Sequence, residues 1–285
     1  MTARKPLRAR SLTAFKSEPM AMRFCILGSG SSGNCALLTT DGARILVDVG
    51  FSARKTKALL ASVGESLETI DAVFLTHEHG DHAAGIEGLK KFPAIKIFAN
   101  AATRRAVQAG LEHTPEWQIF ETGSRFRFRD LEVESFAVPH DAHEPVGFRF
   151  THGHDEDLFS PRRSLAWLTD MGHAPTGIGD RIRECDVVVV ESNHCPKMLE
   201  ADHRRSWTTK QRISGRHGHL SNESARALLS SVSNPRWKRI YLTHLSRDCN
   251  SLAAVEAAFT GVRELFRCEL SIVQHGEGTP FYEIS

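Results

Sequence analysis

Thr76-His77-Glu78-His79-Gly80-Asp81-His82 decides how this chain is read. Three imidazoles and the Asp81 carboxylate fall within six residues, directly after the apolar run Ala72–Leu75. In an extended segment alternate side chains share a face, so His77 and His79 can reach one ion together. Gly80 permits a sharp turn, after which Asp81 and His82 can aim at a second ion close by. Imidazole and carboxylate in one set suit zinc, manganese or iron. The HExxH pattern of a metalloprotease is absent, because Asp81 stands where the second His would be.

Working outward, Arg23–Leu27 reads as a strand, and Cys35–Thr40 and Arg44–Val49 are apolar runs joined by the turn signal Asp41-Gly42. A helix over Ser52–Val63 precedes the strand Ala72–Thr76, and after the His-rich loop a helix is expected towards Lys91, then a strand at Lys96–Ala99. Residues 117–151 read as a run of antiparallel strands. Further strands are expected at Leu165–Thr169, Asp186–Glu191, Arg239–Thr243, Leu270–Val273 and Phe281–Ile284, with a helix over Leu252–Leu265. Hairpins mixed with helix-linked strands predict an α/β fold with mixed sheets, not a parallel barrel. No internal repeat interrupts this pattern, and no linker follows residue 21.

The 285 residues, 31.6 kDa, are enough for a substantial core. No apolar run approaches the ~20 residues that span a bilayer. The net charge of +2 is uneven: residues 1–21 hold five Lys/Arg and one Glu, so the remainder is slightly acidic. A globally basic nucleic-acid binder is excluded, and any such contact must come from a local patch. The basic segment 1–21 has no hydrophobic stretch of signal-peptide type and is expected to be a disordered arm, with residues 22–285 as the folded domain. Cysteines at 25, 35, 185, 195, 249 and 268 form no CxxC pair, which excludes a zinc ribbon and suits reduced thiols in a cytoplasm.

Gly28-Ser29-Gly30-Ser31-Ser32-Gly33 matches the dinucleotide-binding GxGxxG directly after a strand. That use needs a helix opening at the third glycine. Here a strand, a turn and a second strand follow, so the dinucleotide reading fails. Two readings remain for the loop: a tight turn needing glycine backbone angles, or a cleft wall in which Ser31 and Asn34, with their neighbours, touch a phosphate. Arg204, Arg205, Lys210, Arg212 and Arg216 crowd into one stretch before Gly218-His219, which can be a solvated surface or a hold on a nucleic-acid backbone. His219 is a candidate for protonating a leaving oxygen, and His194 a weaker one, while His113, His152, His154, His203 and His275 read as surface residues.

The His77–His82 segment resembles the HxHxDH motif of the metallo-β-lactamase fold superfamily. The other motifs of that superfamily follow in order: Asp48 in Leu46-Val47-Asp48-Val49-Gly50, His140 in Pro139-His140-Asp141, Asp170 in Leu168-Thr169-Asp170, and His244 in Leu242-Thr243-His244. The resemblance implies a four-layer αββα sandwich with two mixed sheets. It also implies two divalent ions, zinc or manganese. His77, His79 and His140 would hold one, Asp81, His82 and His244 the other, with Asp170 between them and Asp48 supporting the ligands from behind. A bridging water would then deprotonate near neutral pH and act as nucleophile.

Further segments narrow the branch: Leu27–Asn34, Pro139–Ala142 with Glu144–Phe148, Glu191-Ser-Asn-His194, Gly218–Asn222 and Leu245-Ser246 look like the YycJ/WalJ type. That resemblance covers nearly the whole chain from Met22. It implies a cytoplasmic 5′-to-3′ exonuclease on double-stranded DNA; on the residues themselves, Asp81 and His219 are expected in catalysis and Ser31, Asn34 and Arg212 at the substrate. Cys195 and Arg247-Asp-Cys-Asn250 depart from the branch's usual residues. The 73 residues between Asp170 and His244 leave no room for an inserted cap domain. Two other readings are a small-molecule hydrolase acting on a cyclic phosphodiester, thioester or lactone, and a non-hydrolytic metal or redox module.

Overall fold

A computed structural model describes residues 22–154 and 161–285; the expected arm at 1–21 lies outside them. Two seven-stranded sheets carry the fold. The first runs in the spatial order β14 (Tyr282–Ile284), β1 (Met22–Gly28), β2 (Cys35–Thr39), β3 (Arg44–Val47), β4 (Ala72–Phe74), β5 (Lys96–Asn100) and β6 (Glu116–Phe120). The second runs β13 (Glu269–Ile272), β12 (Arg239–Thr243), β11 (Val187–Glu191), β10 (Arg163–Leu168), β9 (Val146–His152), β8 (Leu131–Ala137) and β7 (Arg125–Phe128). Each sheet is antiparallel at one end and parallel at the other: β3 to β6 pair parallel in the first, β10 to β13 in the second. The mixed-sheet expectation holds.

The period-2 alternation of the strands explains the layering. Ile45 and Val47 on β3, Phe74 on β4 and Val187 and Val189 on β11 point between the sheets, where Phe24, Phe148, Phe150 and Trp167 meet them. Their neighbours Leu46 and Val73 face an outer layer containing α1 (Ala53–Ser62) and α3 (Ala101–Ala109). Val188 and Val190 face the other outer layer, with α4 (Ile178–Arg183), α7 (Asn222–Ser230), α8 (Leu252–Ala258) and α9 (Val262–Phe266). Strands buried on both faces read as unbroken apolar runs, which is why Val187–Val190 shows no alternation in the sequence. The remaining helices are α2 (Gly80–Ala83), α5 (Pro196–Ala201) and α6 (Trp207–Ser214). No helix among the described residues is long and apolar enough to cross a membrane.

Three expectations need correction. The strands expected as one antiparallel run at 117–151 divide between the sheets: β6 pairs parallel with β5, and only β7 to β9 form the antiparallel set. The helix expected over Leu252–Leu265 is broken at Gly261, whose φ of 79° is outside the helical region. His152, read as a surface residue, is buried, with Nε2 3.3 Å from the Asp130 carboxylate.

Candidate metal centre

The parallel strands of both sheets deliver their carboxyl ends to one place. Asp48 follows β3, His77 comes three residues after β4, Asp170 two residues after β10, Glu191 ends β11 and His244 follows β12. Crevices at the carboxyl ends of parallel strands are where α/β folds place their chemistry. Asp48, Asp170 and His244 have φ of 59°, 55° and 56°, left-handed backbone that non-glycine residues rarely adopt. That turn swings each side chain off its strand and into the crevice. Strain concentrated at three converging polar residues is a mark of a functional site.

The candidate donor atoms fall into groups. His77, His79 and His140 bring one donor atom each within 4.8 Å of one another, and so do Asp81, His82 and His244. Asp170 stands between the groups: its Oδ2 lies 3.0 Å from His82 Nε2, and its Oδ1 3.9 Å from His140 Nε2 and 3.4 Å from His244 Nδ1. Three buried donor atoms, His77 Nε2, His244 Nε2 and Asp170 Oδ2, have no hydrogen-bond partner. Buried polar atoms are rarely left so, and cations at the two groups would satisfy all three. The donor set, nitrogen and oxygen from imidazole and carboxylate, fits a divalent metal.

Protons compete for this set. Burial opposes charge on His82 and His244, yet the carboxylates around them override it: Asp170 and Asp48 raise His82 well above the usual range, and Asp170, Asp81 and Glu191 raise His244 to about 10. His77, buried among other imidazoles, is pushed well down. The site is built to hold positive charge at its centre.

A second ring of groups aims the ligands. The Asp48 carboxylate accepts the Thr76 N–H at 2.8 Å and the Thr76 hydroxyl, and its Oδ2 lies 2.8 Å from His82 Nδ1. His82 Nε2 is thereby turned to the centre. The Glu191 carboxylate does the same for two rings at once: Oε1 lies 2.7 Å from both His219 Nδ1 and His244 Nδ1, while Oε2 accepts the N–H groups of Met171 and Leu220. Fully buried, it is held down to about 2: burial raises it, and the facing imidazoles more than offset that. The sequence reading gave Glu191 no role. Its signal was available, since a carboxylate ending a fully buried strand is also how Asp48 and Asp170 enter the site.

The remaining candidates separate. Asn34 is buried, with Nδ2 donating to the Asp81 carbonyl at 3.3 Å and Oδ1 accepting the Gly30 N–H at 2.8 Å, so it fastens the metal loop from beneath. Ser29 Oγ accepts the His244 N–H at 2.8 Å. The glycine loop therefore ties the two halves of the site together, while Ser31 is exposed at its tip. His219 stands at the edge of the centre, its ring 5.0 Å from that of His140. Arg212 on α6 is exposed and paired with the Asp141 carboxylate beside His140. Arg204 and Arg205 are paired with Asp202 and Asp248, so most of the expected basic patch is neutralised locally. His143, on the other side, faces Glu78 at 2.6 Å.

Residues 43–245 match the model of the β-lactamase superfamily domain. The exodeoxyribonuclease WalJ of Streptococcus pneumoniae serotype 2 (strain D39 / NCTC 7466) is 34% identical over 258 residues, 89% of this chain and 91% of the relative. The chain belongs to the metallo-β-lactamase fold superfamily, in its YycJ/WalJ-type branch. The exodeoxyribonuclease YycJ of Bacillus anthracis agrees, at 34% identity over 261 residues and 91% of each chain. Among solved structures, the metallo-β-lactamase fold protein YhfI from Bacillus subtilis superposes with a TM-score of 0.67 at 17% identity, covering 93% of this chain and 99% of that one. That likeness bears out the αββα fold. As a member of this branch the chain is a metal-dependent hydrolase.

Proposed function

We propose that this YycJ/WalJ-type hydrolase is an exodeoxyribonuclease that removes nucleotides from the 5′ ends of double-stranded DNA with the help of two divalent ions. The observation that carries the substrate is the 34% identity to two exodeoxyribonucleases along about nine-tenths of the chain. His77, His79 and His140 would hold one ion and Asp81, His82 and His244 the other, with Asp170 between them; the unpartnered donors His77 Nε2, His244 Nε2 and Asp170 Oδ2 support this division. Such ions, zinc or manganese, supply an acidified water and neutralise charge on the phosphate.

The protein's own groups do the rest. Asp48 and Glu191 fix the rings of His82, His219 and His244 so that no reorganisation is needed during reaction. Burial lowers the basicity of His219, but the Glu191 carboxylate against its Nδ1 more than compensates, so its pKa is raised. That shift favours the protonated ring, the form of His219 that can donate to the leaving oxygen. Asp81, held ionised by His244 and His82 against the effect of burial, serves as a ligand carboxylate rather than an acid. Ser31, at the exposed loop tip, and Arg212, on Asp141, would meet the DNA backbone. Residues 22–285 act as one hydrolase domain, and six free cysteines fit a cytoplasmic setting.

The test is a 5′-phosphorylated, end-labelled duplex incubated with Mn²⁺ or Zn²⁺, with the Asp81→Ala protein beside the wild type. Mononucleotides released from the 5′ end by the wild type and absent with the variant are the expected result. No release by folded, metal-loaded wild type would overturn the exonuclease assignment.

A further inference from the structure

Beside the metal centre lies a cavity of about 400 Å³ that nothing above uses. His219 forms the wall it shares with the centre, and Pro196, Leu199, Trp207, His194 and Ser221 complete most of the lining. Its volume lies at the small-ligand end of binding pockets. Three features call for a ligand. Trp207 is 70% exposed, the most exposed large apolar side chain among the described residues. It opens α6, a helix without a single buried residue, so core packing does not explain its place. His194, by contrast, is 2% exposed, and its Nδ1 has no hydrogen-bond partner.

We propose that this cavity seats the nucleobase of the 5′-terminal nucleotide, stacked on Trp207 with its polar edge towards His194, while the adjoining phosphate reaches His219. The inference rests on the exonuclease reading and extends it to the position of the leaving nucleotide. Charge decides for a base over a phosphate. Apart from His219, whose proton is committed to the leaving oxygen, Lys210 is the one cation in the lining; its ammonium donates to the Glu200 carbonyl at 2.6 Å, and the Glu200 side chain lines the same cavity. A lining whose remaining charges are one of each sign favours a neutral ring over a dianion. Pro196 and Leu199 give an apolar floor, and Trp207 gives a π-face that accepts any base, as an exonuclease indifferent to sequence requires. Burial pushes His194 down to about 4, so its ring is neutral and can both donate and accept at a base edge. The α6 helix is held in place over this space by Ser206, which caps it, and by Arg212 on Asp141.

The experiment separates the pocket from the catalysis. Deoxyadenosine 5′-monophosphate is titrated into metal-free wild type, Trp207→Ala and Trp207→Phe, with tryptophan fluorescence and calorimetry as readouts; 2-deoxyribose 5-phosphate is the baseless control. Expected is saturable quenching in wild type. Calorimetric affinity should fall about fivefold or more in Trp207→Ala, the lower end of what one lost base stack removes, and be largely restored in Trp207→Phe. The same Trp207→Ala protein, metal-loaded, should show a raised KM on duplex. Equal affinity for the baseless sugar phosphate, or an unchanged affinity in Trp207→Ala, overturns the proposal. Failure of the exonuclease reading is seen differently, as wild type that binds the mononucleotide but releases none from DNA.

Discussion

Glu191 concentrates more function in one side chain than any other residue of the site. One carboxylate oxygen faces both His219 and His244, and the other is fixed by two backbone N–H groups. Glu191→Gln keeps the shape and removes the charge. Loss of such an orienting partner weakens metal affinity or activity by roughly 10–100-fold. It also moves the pH profile in a defined direction. The His219 pKa is raised, with Glu191 the first of the charges that raise it against burial, so an activity needing protonated His219 persists up to that raised pKa and is lost above it. Without the carboxylate the pKa drops, and the alkaline limb of kcat moves to lower pH. Rates measured from pH 6 to 10 at saturating metal check this; an unmoved alkaline limb would remove His219 from the proton-donor role. Glu191 also shows where the sequence reading stopped. The His and Asp candidates stood out because each sits in a short motif, whereas Glu191 acts through ring nitrogens supplied by residues 28 and 53 positions away.

At the scale of elements, the metal loop between β4 and α2 is held by close backbone approach. A Cβ on Gly50 would lie 1.8 Å from the Asp81 carbonyl oxygen and 2.8 Å from the Asn34 nitrogen, backbone atoms that cannot yield cheaply. Gly50→Ala is therefore expected to displace the loop, destabilise by about 1–3 kcal/mol as overpacking does, and lower metal occupancy. Gly80, inside the motif itself, has nothing within 4 Å of its Cβ position and no positive φ. Gly80→Ala should leave metal content and thermal midpoint near wild type. Elemental analysis with thermal unfolding of both variants settles the contrast, and equal behaviour would refute the steric argument. The turn freedom read into Gly80 from sequence does not show there as a positive φ, and the glycine the loop requires is Gly50, for close approach instead of turning. Strand positions and helix α1 were legible from the sequence pattern, and the structure adds Ser52 as the cap of α1. The division of β6 from β7–β9 was not, because pairing partners are chosen by tertiary contacts that local propensity does not encode.

For the whole molecule, the centre is assembled from two halves that only folding brings together. The first sheet supplies His77 to His82, and the second supplies His140, Asp170 and His244. Apart from the sheet core, the halves are tied at the site by Ser29 accepting from the His244 N–H and by the Val146 N–H donating to the Thr76 carbonyl. An ion held by both halves exists only in the folded state, so its binding free energy adds to stability. At a free metal concentration of 100 times Kd the gain is about 2.7 kcal/mol for one site. For a chain of this size that corresponds to a rise in Tm of roughly 5 °C or more. Asp170→Asn isolates the cause, because Asn tolerates the left-handed backbone that Asp170 adopts while losing the charge between the two ligand groups. Wild type is expected to lose the gain on chelation and recover it with Mn²⁺ or Zn²⁺; Asp170→Asn should respond to neither or only weakly. A variant that gains as much Tm from metal as wild type would show that the halves are not joined through Asp170.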